Sequence, residues 1–377
     1  MLEKPKLEGK RLAGILAILT VVVAVSVVTI FSCDESDIVV KLPPPAELPE
    51  QVTIVKPEML KDTVDITGGE SIAAYQGLLV TGSLDGNLVA FDKQDFSIRW
   101  SVPCPPNSHG IPCRILGLRS VDDDTLYGVE EHCRLFRYRD GLWTWLLDEN
   151  NAGLKNLKPG LFNDLVVVGN MVYITDSFQH NPTKHPLQRF FSFENSGRIL
   201  GYNLENGEIG TIAEGLYLPN GIELHSDNQS LLIAECSMYR ISRLDTATKQ
   251  IRSFQAHTYG AVDNIRRSKD GGYWVGISAT RFTSSFWSLP DFLALHPKFR
   301  SVLTNKVFLP LILLYHGIFG SGPALYKMDG EGNPLRIVLD ENKLTNTIAF
   351  SQAHETNRSL FVGTPFAGKV FIFPNLY

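Results

Sequence analysis

The chain has 377 residues and a formal net charge of −5. This length allows two or three domains, while mild acidity without a basic cluster after residue 31 argues against nucleic acid as a partner. The common sequence signatures of serine hydrolases, phosphate-binding loops and zinc proteases are absent.

The first predicted element is a transmembrane helix over residues 12–31. These 20 residues carry no charge and correspond to about 30 Å of helix, which is enough to cross a bilayer. The alternative is a cleaved signal peptide. Its apolar region is normally about 7 to 15 residues long, and residues 30–33 make a poor cleavage site. We therefore favour an uncleaved signal anchor.

The charges on either side of the span predict its orientation. Four basic residues lie within residues 1–11, and three acidic residues follow within residues 34–37. Basic flanks stay in the cytoplasm, so residues 1–11 are predicted to form a cytoplasmic tail. The chain is then a single-pass type II protein of the endoplasmic reticulum or plasma membrane, with its main domain lumenal or extracellular.

A Pro-rich segment follows the predicted span. Residues 32–66 are predicted to form an extended stalk, because consecutive prolines favour a stiff polyproline conformation. The later part of this segment, residues 52–66, is expected to supply a strand that closes the last repeat onto the first. Residues 67–377 then form one large domain.

Similar units recur along that domain, most of them about 43 to 57 residues apart. Each unit contains a short apolar run bounded by turn residues, which is typical of a β-strand. The six runs are residues 77–82, 125–129, 170–175, 230–234, 272–276 and 359–363. An ordinary β-sandwich also has frequent strands but gives no reason for the longer period, so the fold class is predicted as an all-β, six-bladed β-propeller.

Polar residues stand immediately before several of the strand-like runs, as in residues 161–165, 218–222 and 261–265. A repeated polar residue at the start of a repeated strand predicts a polar site at the centre of the ring. The alternative is that these asparagines only cap turns, with side chains bonded to nearby backbone.

A lumenal or extracellular domain permits disulfides and glycans. Cys104 and Cys113 bracket a Pro/Gly-rich loop and are predicted to form a disulfide. Cys133 and Cys236 lie in or beside apolar strands and are predicted to be buried thiols. Cys33, at the membrane boundary, is either lipidated or unpaired.

Two sequons without a central proline predict glycosylation at Asn228 and Asn357. The fifth repeat also carries an apolar insertion at about residues 281–324. It is expected to cover the channel mouth or touch the lipid surface, and the alternative is packing on the edge of its blade.

Consecutive motifs resemble the strictosidine synthase-like family, a relative of the paraoxonases and gluconolactonases. They are residues 163–165, 172–177, 197–202, 215–221, 234–235, 263–267 and 271–276. The resemblance implies a six-bladed propeller and extends from about residue 69 to residue 373. Strictosidine synthesis itself is confined to a narrow subset of the family and is not expected here.

The resemblance also implies a site for one Ca²⁺ in the central channel. By motif, the matching ligands are Glu70, Asn163, Asn220, Asp263 and Asn264. Ca²⁺ takes 6 to 8 oxygen ligands, and amide oxygens serve as well as carboxylates. Glu70 and Asp263 supply two negative charges to balance the ion.

A catalytic base is implied at Glu355, which matches the glutamate of strictosidine synthase. The residues that follow it, 356–359, depart from the family's His-Asp-Gly sequence. Leu116 stands where paraoxonases carry a histidine, so a paraoxonase-type histidine mechanism is not expected.

Two classes of function remain open. One is a membrane-anchored, Ca²⁺-binding hydrolase of small apolar esters or lactones, resembling an arylesterase or lactonase. The other is a non-catalytic surface protein that binds an unknown ligand or partner at the same face of the propeller.

Overall fold

The computed structural model describes residues 38–179, 186–282, 288–304 and 322–374. These residues fall into two compact units. The larger unit contains residues 43–179, 194–282 and 322–374. The smaller unit contains residues 38–42, 186–193 and 288–304.

All the β-sheets among the described residues lie in the larger unit, where short Val-, Ile- and Leu-rich segments alternate with turns. The first two strands are β1 (Gln51–Ile54) and β2 (Thr63–Val64). Blade 1 comprises β3 (Ile72–Tyr75), β4 (Leu78–Gly82), β5 (Asn87–Phe91) and β6 (Ile98–Pro103). Blade 2 comprises β7 (Ile115–Asp122), β8 (Thr125–Glu130), β9 (Arg134–Arg139) and β10 (Leu142–Leu147). Blade 3 comprises β11 (Phe162–Val168), β12 (Met171–Asp176), β13 (Gly197–Asn203) and β14 (Ile209–Leu216).

The remaining blades follow the same plan. Blade 4 comprises β15 (Pro219–Leu224), β16 (Ser230–Glu235), β17 (Arg240–Asp245) and β18 (Ile251–Gln255). Blade 5 comprises β19 (Gly260–Arg267), β20 (Tyr273–Thr280), β21 (Ala324–Met328) and β22 (Pro334–Leu339). Blade 6 comprises β23 (Gln352–Glu355), β24 (Ser359–Gly363) and β25 (Val370–Pro374). The prediction of a six-bladed β-propeller is confirmed, and each predicted apolar run is the second strand of a blade.

The first strand of each blade lies on the inside of the ring. Each contacts the first strand of the next blade, and β23 returns to contact β3. An apolar cluster fills each of the six junctions between neighbouring blades. Burial of apolar surface between blades therefore holds the ring together, and its polar residues are left to the axis and the faces.

The ring is closed by the N-terminal segment. Strand β2 pairs antiparallel with β25 and completes blade 6 as its outermost strand. Strand β1 pairs parallel with β22 and gives blade 5 a fifth strand. Both ends of the domain are thus hydrogen-bonded into the same ring.

Within the segment predicted as a stalk, Pro43 and Ala46 contact other residues of the larger unit, so this part of it does not project. The Arg281 guanidinium donates to the carbonyl oxygen of Pro43 at 2.8 Å, and Ala46 forms an isolated parallel bridge with Phe282. These two contacts hold Pro43 and Ala46 against the residues that follow β20.

Four α-helices and two 3₁₀ turns accompany the strands in the part of the chain that the structure describes. The helices are α1 (Ala152–Leu157), α2 (Pro186–Ser192), α3 (Leu289–Leu295) and α4 (Pro297–Leu303). The 3₁₀ turns are Pro57–Leu60 and Cys236–Met238. Helices α3 and α4 belong to the predicted insertion, whose apolar run at residues 307–315 lies outside the described residues.

No helix in the described ranges is long and apolar enough to cross a membrane. The predicted cytoplasmic tail, the span over residues 12–31 and Cys33 all lie outside those ranges, and they stay predictions.

The predicted disulfide is confirmed. Cys104 and Cys113 are bonded, with their Cα atoms 5.8 Å apart, and close the loop between blades 1 and 2. Cys133 and Cys236 are free and buried.

Glycine allows close approach between neighbouring inner strands. A Cβ at Gly221 in β15 would lie 2.5 Å from the Cα of Asn264 and 2.6 Å from the carbonyl oxygen of Asp263. Both atoms belong to the backbone of β19, so neither can rotate away. Gly363 has the same relation to Glu70, whose carbonyl oxygen would lie 2.3 Å from the added Cβ.

We expect Gly221→Ala to lower the free energy of unfolding by about 1–3 kcal/mol, the usual cost of overpacking. Urea unfolding of the purified protein measures it. Gly210→Ala is the matched control, because a Cβ at that strand position meets no heavy atom within 4 Å. Equal losses in the two variants would contradict the close-approach interpretation.

Candidate functional site

Three neighbouring inner strands carry a β-bulge at the same place. The bulges fall at Asn163 and Asp164 in β11, at Asn220 and Gly221 in β15, and at Asp263 and Asn264 in β19. A bulge inserts an unpaired residue and re-aims its side chain. Four of the five predicted metal ligands therefore occupy equivalent irregular positions near the start of their strands.

Hydrogen bonds join these bulges across blade boundaries. The Thr175 hydroxyl accepts from the backbone N–H of Asp164 at 2.9 Å and donates to the carbonyl oxygen of Asn220 at 2.7 Å. The Asn220 side chain also interacts with Asp263 and opposes the rise in the pKa of that carboxyl group. Blades 3 and 4 are thus joined by hydrogen bonds at the bulges, with Asp263 of blade 5 beside them.

Glu70 joins the same end of the ring from blade 1. It lies just before β3, and its carbonyl oxygen accepts from the Ser351 hydroxyl at 2.7 Å. The carbonyl oxygen of Ser351 accepts from the backbone N–H of Asn264 at 2.9 Å. All five predicted ligands are therefore brought to one end of the central channel.

Several polar atoms of these side chains are buried without a hydrogen-bond partner in the described part of the chain. They are Oδ1 of Asn163, Asn220 and Asp263, and both amide atoms of Asn264. Leaving such an atom unpaired costs about 1–3 kcal/mol. A bound group that interacts with these side-chain oxygens is therefore expected to stabilise the site. The oxygens match the ligand preference of Ca²⁺.

The described residues contain no cluster of three or more His, Cys, Asp or Glu side chains that could hold a metal ion. Two carboxylates and three amides make up the candidate set instead. All of these side chains offer oxygen, which is the ligand atom that hard cations such as Ca²⁺ prefer. Zn²⁺ prefers nitrogen and sulfur ligands.

The two carboxylates of the set repel each other. Burial raises the pKa of Glu70 from 4.5 to about 7, with Arg114 opposing the rise and Glu131 and Asp164 adding to it. Burial, and then the Glu70 charge, raise the pKa of Asp263 well above its ordinary value. A cation between them would favour both ionised forms.

Arg114 and Glu131 lie beside Glu70. The Arg114 guanidinium is 3.8 Å from the Glu70 carboxylate and 3.3 Å from that of Glu131. Leu116, at the bulge of β7, is buried and supplies no polar group. Blade 2 thus contributes an arginine and a carboxylate, without the histidine of paraoxonases.

A buried salt bridge lies in the channel beside the ligand set. The Arg266 guanidinium makes two hydrogen bonds to the Asp164 carboxylate, at 2.8 and 3.1 Å. Arg119 donates to the same carboxylate at 3.1 Å. Burial lowers the pKa of Arg266 to about 10, which still leaves the guanidinium charged at neutral pH.

The salt bridge extends to the other inner strands through neutral groups. Arg266 also donates to the Ser71 hydroxyl at 2.9 Å, and Ser71 donates to the Gln352 side chain at 2.9 Å. The backbone N–H of Ile222 donates to Asp164 at 3.0 Å. Residues next to or within all six inner strands therefore meet in one set of contacts, called here the axial network.

A second recurring feature was not predicted from the sequence. In blades 2, 3 and 4 a fully buried carboxylate at the end of the second strand pairs with an arginine at the start of the third. The pairs are Glu130 with Arg134 at 2.9 Å, Asp176 with Arg198 at 2.8 Å, and Glu235 with Arg240 at 2.8 Å. Their recurrence in three repeats is the signal that could have revealed them.

Two of these carboxylates position the loops that lead into the bulged strands. Asp176 accepts from the backbone N–H groups of Gly160 and Leu161 at 3.0 and 3.1 Å. Glu235 accepts from the N–H of Tyr217 at 3.0 Å. The loops preceding Asn163 and Asn220 are thereby fixed.

Glu355 is not brought to the ligand set. It ends β23, and one of its oxygens accepts from the Ser268 hydroxyl at 2.6 Å and the Trp274 indole at 3.1 Å. Ser268 lies five residues beyond Asp263, about 16 Å at the rise of a strand. Strand direction thus separates Glu355 from the ligands, which stand at the starts of their strands.

The two predicted glycosylation sites are solvent-exposed. Asn228 lies in the turn between β15 and β16, and Asn357 lies between β23 and β24. Glycosylation of either residue stays a prediction.

The fold and the site together define a six-bladed propeller with an oxygen-rich group of side chains at one end of its channel. The resemblance predicted from the motifs is confirmed, since the sequence model of the strictosidine synthase family matches residues 163–249. Among curated proteins, adipocyte plasma membrane-associated protein of Danio rerio is 28% identical over 309 residues, covering 79% of this chain and 73% of its own length. The human protein of that name is 27% identical over 311 residues with the same coverage.

Solved structures with the same fold include two bacterial proteins. A gluconolactonase from Xanthomonas campestris has a TM-score of 0.54 at 15% identity and covers 91% of this chain and 99% of its own. Regucalcin, a calcium-binding protein from Agrobacterium tumefaciens, has a TM-score of 0.54 at 12% identity and covers 86% and 95%. At these identities the similarity establishes the fold alone.

The raised pKa of Glu70 predicts how stability depends on pH in the presence of a chelator. Between pH 4.5 and about 7 the folded state holds a proton that the unfolded state has released. The free energy of unfolding therefore falls as pH rises through this window and levels off above it. Thermal unfolding in EDTA measures the trend, and Glu70→Gln should show a smaller fall. The same pH dependence in both proteins would contradict the assignment.

Proposed function

We propose that this protein is a membrane-anchored, Ca²⁺-binding propeller that hydrolyses small apolar lactones or esters. One observation carries the proposal: Asn163, Asn220, Asp263 and Asn264 converge with buried polar atoms that lack partners in the described chain. Two related folds support it, because one is named a gluconolactonase and another a calcium-binding protein. The name of the curated relatives supports a membrane location.

The residues present fit the ion that the resemblance implies. Glu70 and Asp263 supply two charges, and the asparagines supply neutral oxygens, within the ligand number that Ca²⁺ accepts. A bound Ca²⁺ would supply Lewis-acid polarisation of a substrate carbonyl.

The chain's own residues would bind and orient the substrate at the channel end. Glu131, across the Arg114 guanidinium from Glu70, is a carboxylate outside the ligand set. We assign it the role of proton acceptor for the attacking water, because Glu355 lies too far along its strand.

A second function, non-catalytic binding of a ligand at the same face, is favoured by one specific observation. Leu116 occupies the blade 2 position equivalent to the bulged ligands and offers no catalytic group. A calcium ion could then serve only to stabilise the channel end and present a binding surface.

Metal binding is tested by thermal unfolding with and without Ca²⁺. A ligand that binds only the folded state stabilises it by about 2.7 kcal/mol at a hundredfold excess over its Kd. We expect chelation to lower the Tm of wild type and to leave the Asn163→Ala, Asp263→Ala double variant nearly unmoved. Asn206→Ala, in an exposed turn of blade 3, should respond as wild type does. Equal shifts in all three proteins would refute the ligand assignment.

Catalysis is tested by turnover of an aryl ester and an aliphatic lactone by the Ca²⁺-loaded protein. We expect Glu131→Gln to lower kcat by about 10²-fold or more, as loss of a general base usually does. Glu355→Gln should leave kcat nearly unchanged, and both variants should retain Ca²⁺ binding. The reverse result would return the base to Glu355. Absence of turnover by protein that binds Ca²⁺ would favour the binding function.

A further inference from the structure

Residues 38–42 are fixed against helices α3 and α4 of the smaller unit. The backbone N–H of Val40 donates to the carbonyl oxygen of Ala294 at 3.0 Å. The Arg300 guanidinium donates to the carbonyl oxygen of Ile38 at 3.0 Å, and also lies over the Phe193 ring at 5.4 Å. These contacts attach the segment to the end of α3 and the middle of α4.

The attached segment has one buried and one exposed side. Val40 and Leu42 are buried, whereas Ile38 and Val39 are 40% and 61% exposed. On α3, Leu295 is 48% exposed and follows Ala294, which accepts the hydrogen bond from Val40. Ile38, Val39 and Leu295 are therefore exposed aliphatic side chains. Each belongs to a residue whose backbone forms one of these hydrogen bonds, or to its neighbour in the chain.

Aromatic and basic residues accompany these aliphatic side chains. Half-buried Phe292 and Phe299 lie 5.5 Å apart, with the exposed ring of His296 4.4 Å from Phe292. Lys41 and Lys298 are exposed as well. Apolar and aromatic side chains flanked by basic ones are typical of a surface that lies in the headgroup region of a membrane.

Chain length restricts how far this surface can be from the predicted membrane span. Ile38 follows the end of that span, residue 31, by seven residues. Seven extended residues reach at most about 25 Å, so Ile38 lies no farther than this from the end of the predicted span. A surface on such a short tether stays next to the bilayer that the span enters.

We propose that Ile38, Val39 and Leu295, with Phe292 and Phe299, form a membrane-docking surface that lies in the lumenal or extracellular headgroup layer. The binding partner of this docking surface is the phospholipid surface itself. The inference rests on the membrane anchor of the proposed function and is independent of Ca²⁺ binding and catalysis. It gives the smaller unit a role of its own, namely contact with the lipid surface.

The test uses the full chain reconstituted in vesicles of phosphatidylcholine and phosphatidylserine. An environment-sensitive maleimide dye is attached at Leu295→Cys in a Cys33→Ser background, since Cys133 and Cys236 are buried. Leu142→Cys on β10 is the matched control, because Leu142 is a 70% exposed leucine of the larger unit. We expect lipids carrying a doxyl quencher to quench the dye at position 295 several-fold more than the dye at position 142.

Three other outcomes would overturn the inference. Equal quenching at the two positions in chain that resists carbonate extraction would show an anchored protein without a docked surface. Release of the chain by carbonate would remove the anchor, and with it both this inference and the membrane part of the proposed function. Protection of position 295 from aqueous iodide without quenching by doxyl lipid would show that protein covers the surface.

Discussion

The salt bridge between Arg266 and Asp164 satisfies a constraint that every ring of sheets creates. The inner edge of each blade exposes backbone N–H and C=O groups that have no neighbouring strand, and buried groups of this kind must be paired. Arg266 donates to the carbonyl oxygen of Ile265, and Gln352 donates to that of Ile72. Side chains at the axis thus replace the missing strands.

The same network determines where the candidate ligands stand. Ser71 follows Glu70 in the chain, Asp164 follows Asn163, and Arg266 is three residues beyond Asp263. Each of these three ligands is therefore only one to three residues along the chain from a side chain that a charge-assisted hydrogen bond holds in place. The channel end is therefore preorganised, and a cation that bound there would have little backbone to reorganise.

Much of the fold follows from local patterns. The apolar runs between turn residues predict the second strand of every blade, because that strand is buried on both faces by neighbouring blades and must be continuously apolar. The convergence of Glu70, Asn163, Asn220 and Asp263 was also foreseen, since equivalent positions of repeats meet at the axis. The position of Glu355 was not, because a motif match does not tell at which end of a strand the residue lies. The bulges depend on cross-strand registers, which composition and periodicity do not specify. The three carboxylate–arginine pairs do recur at equivalent positions of the repeats, but the sequence alone does not show that their members are buried and bonded to each other.

The pairing of β2 with β25 has a consequence for synthesis. The segment Thr63–Val64 is synthesised before the first blade, whereas its partner Val370–Pro374 follows five complete blades along the chain. Until then the growing ring has two open sides, and its first and sixth blades display strand edges able to pair with other chains. Loss of β25 by premature termination would therefore leave β2 without its partner and the ring without this closing pair. Such a product would expose the unpaired strand edges by which cellular quality control recognises incompletely folded chains.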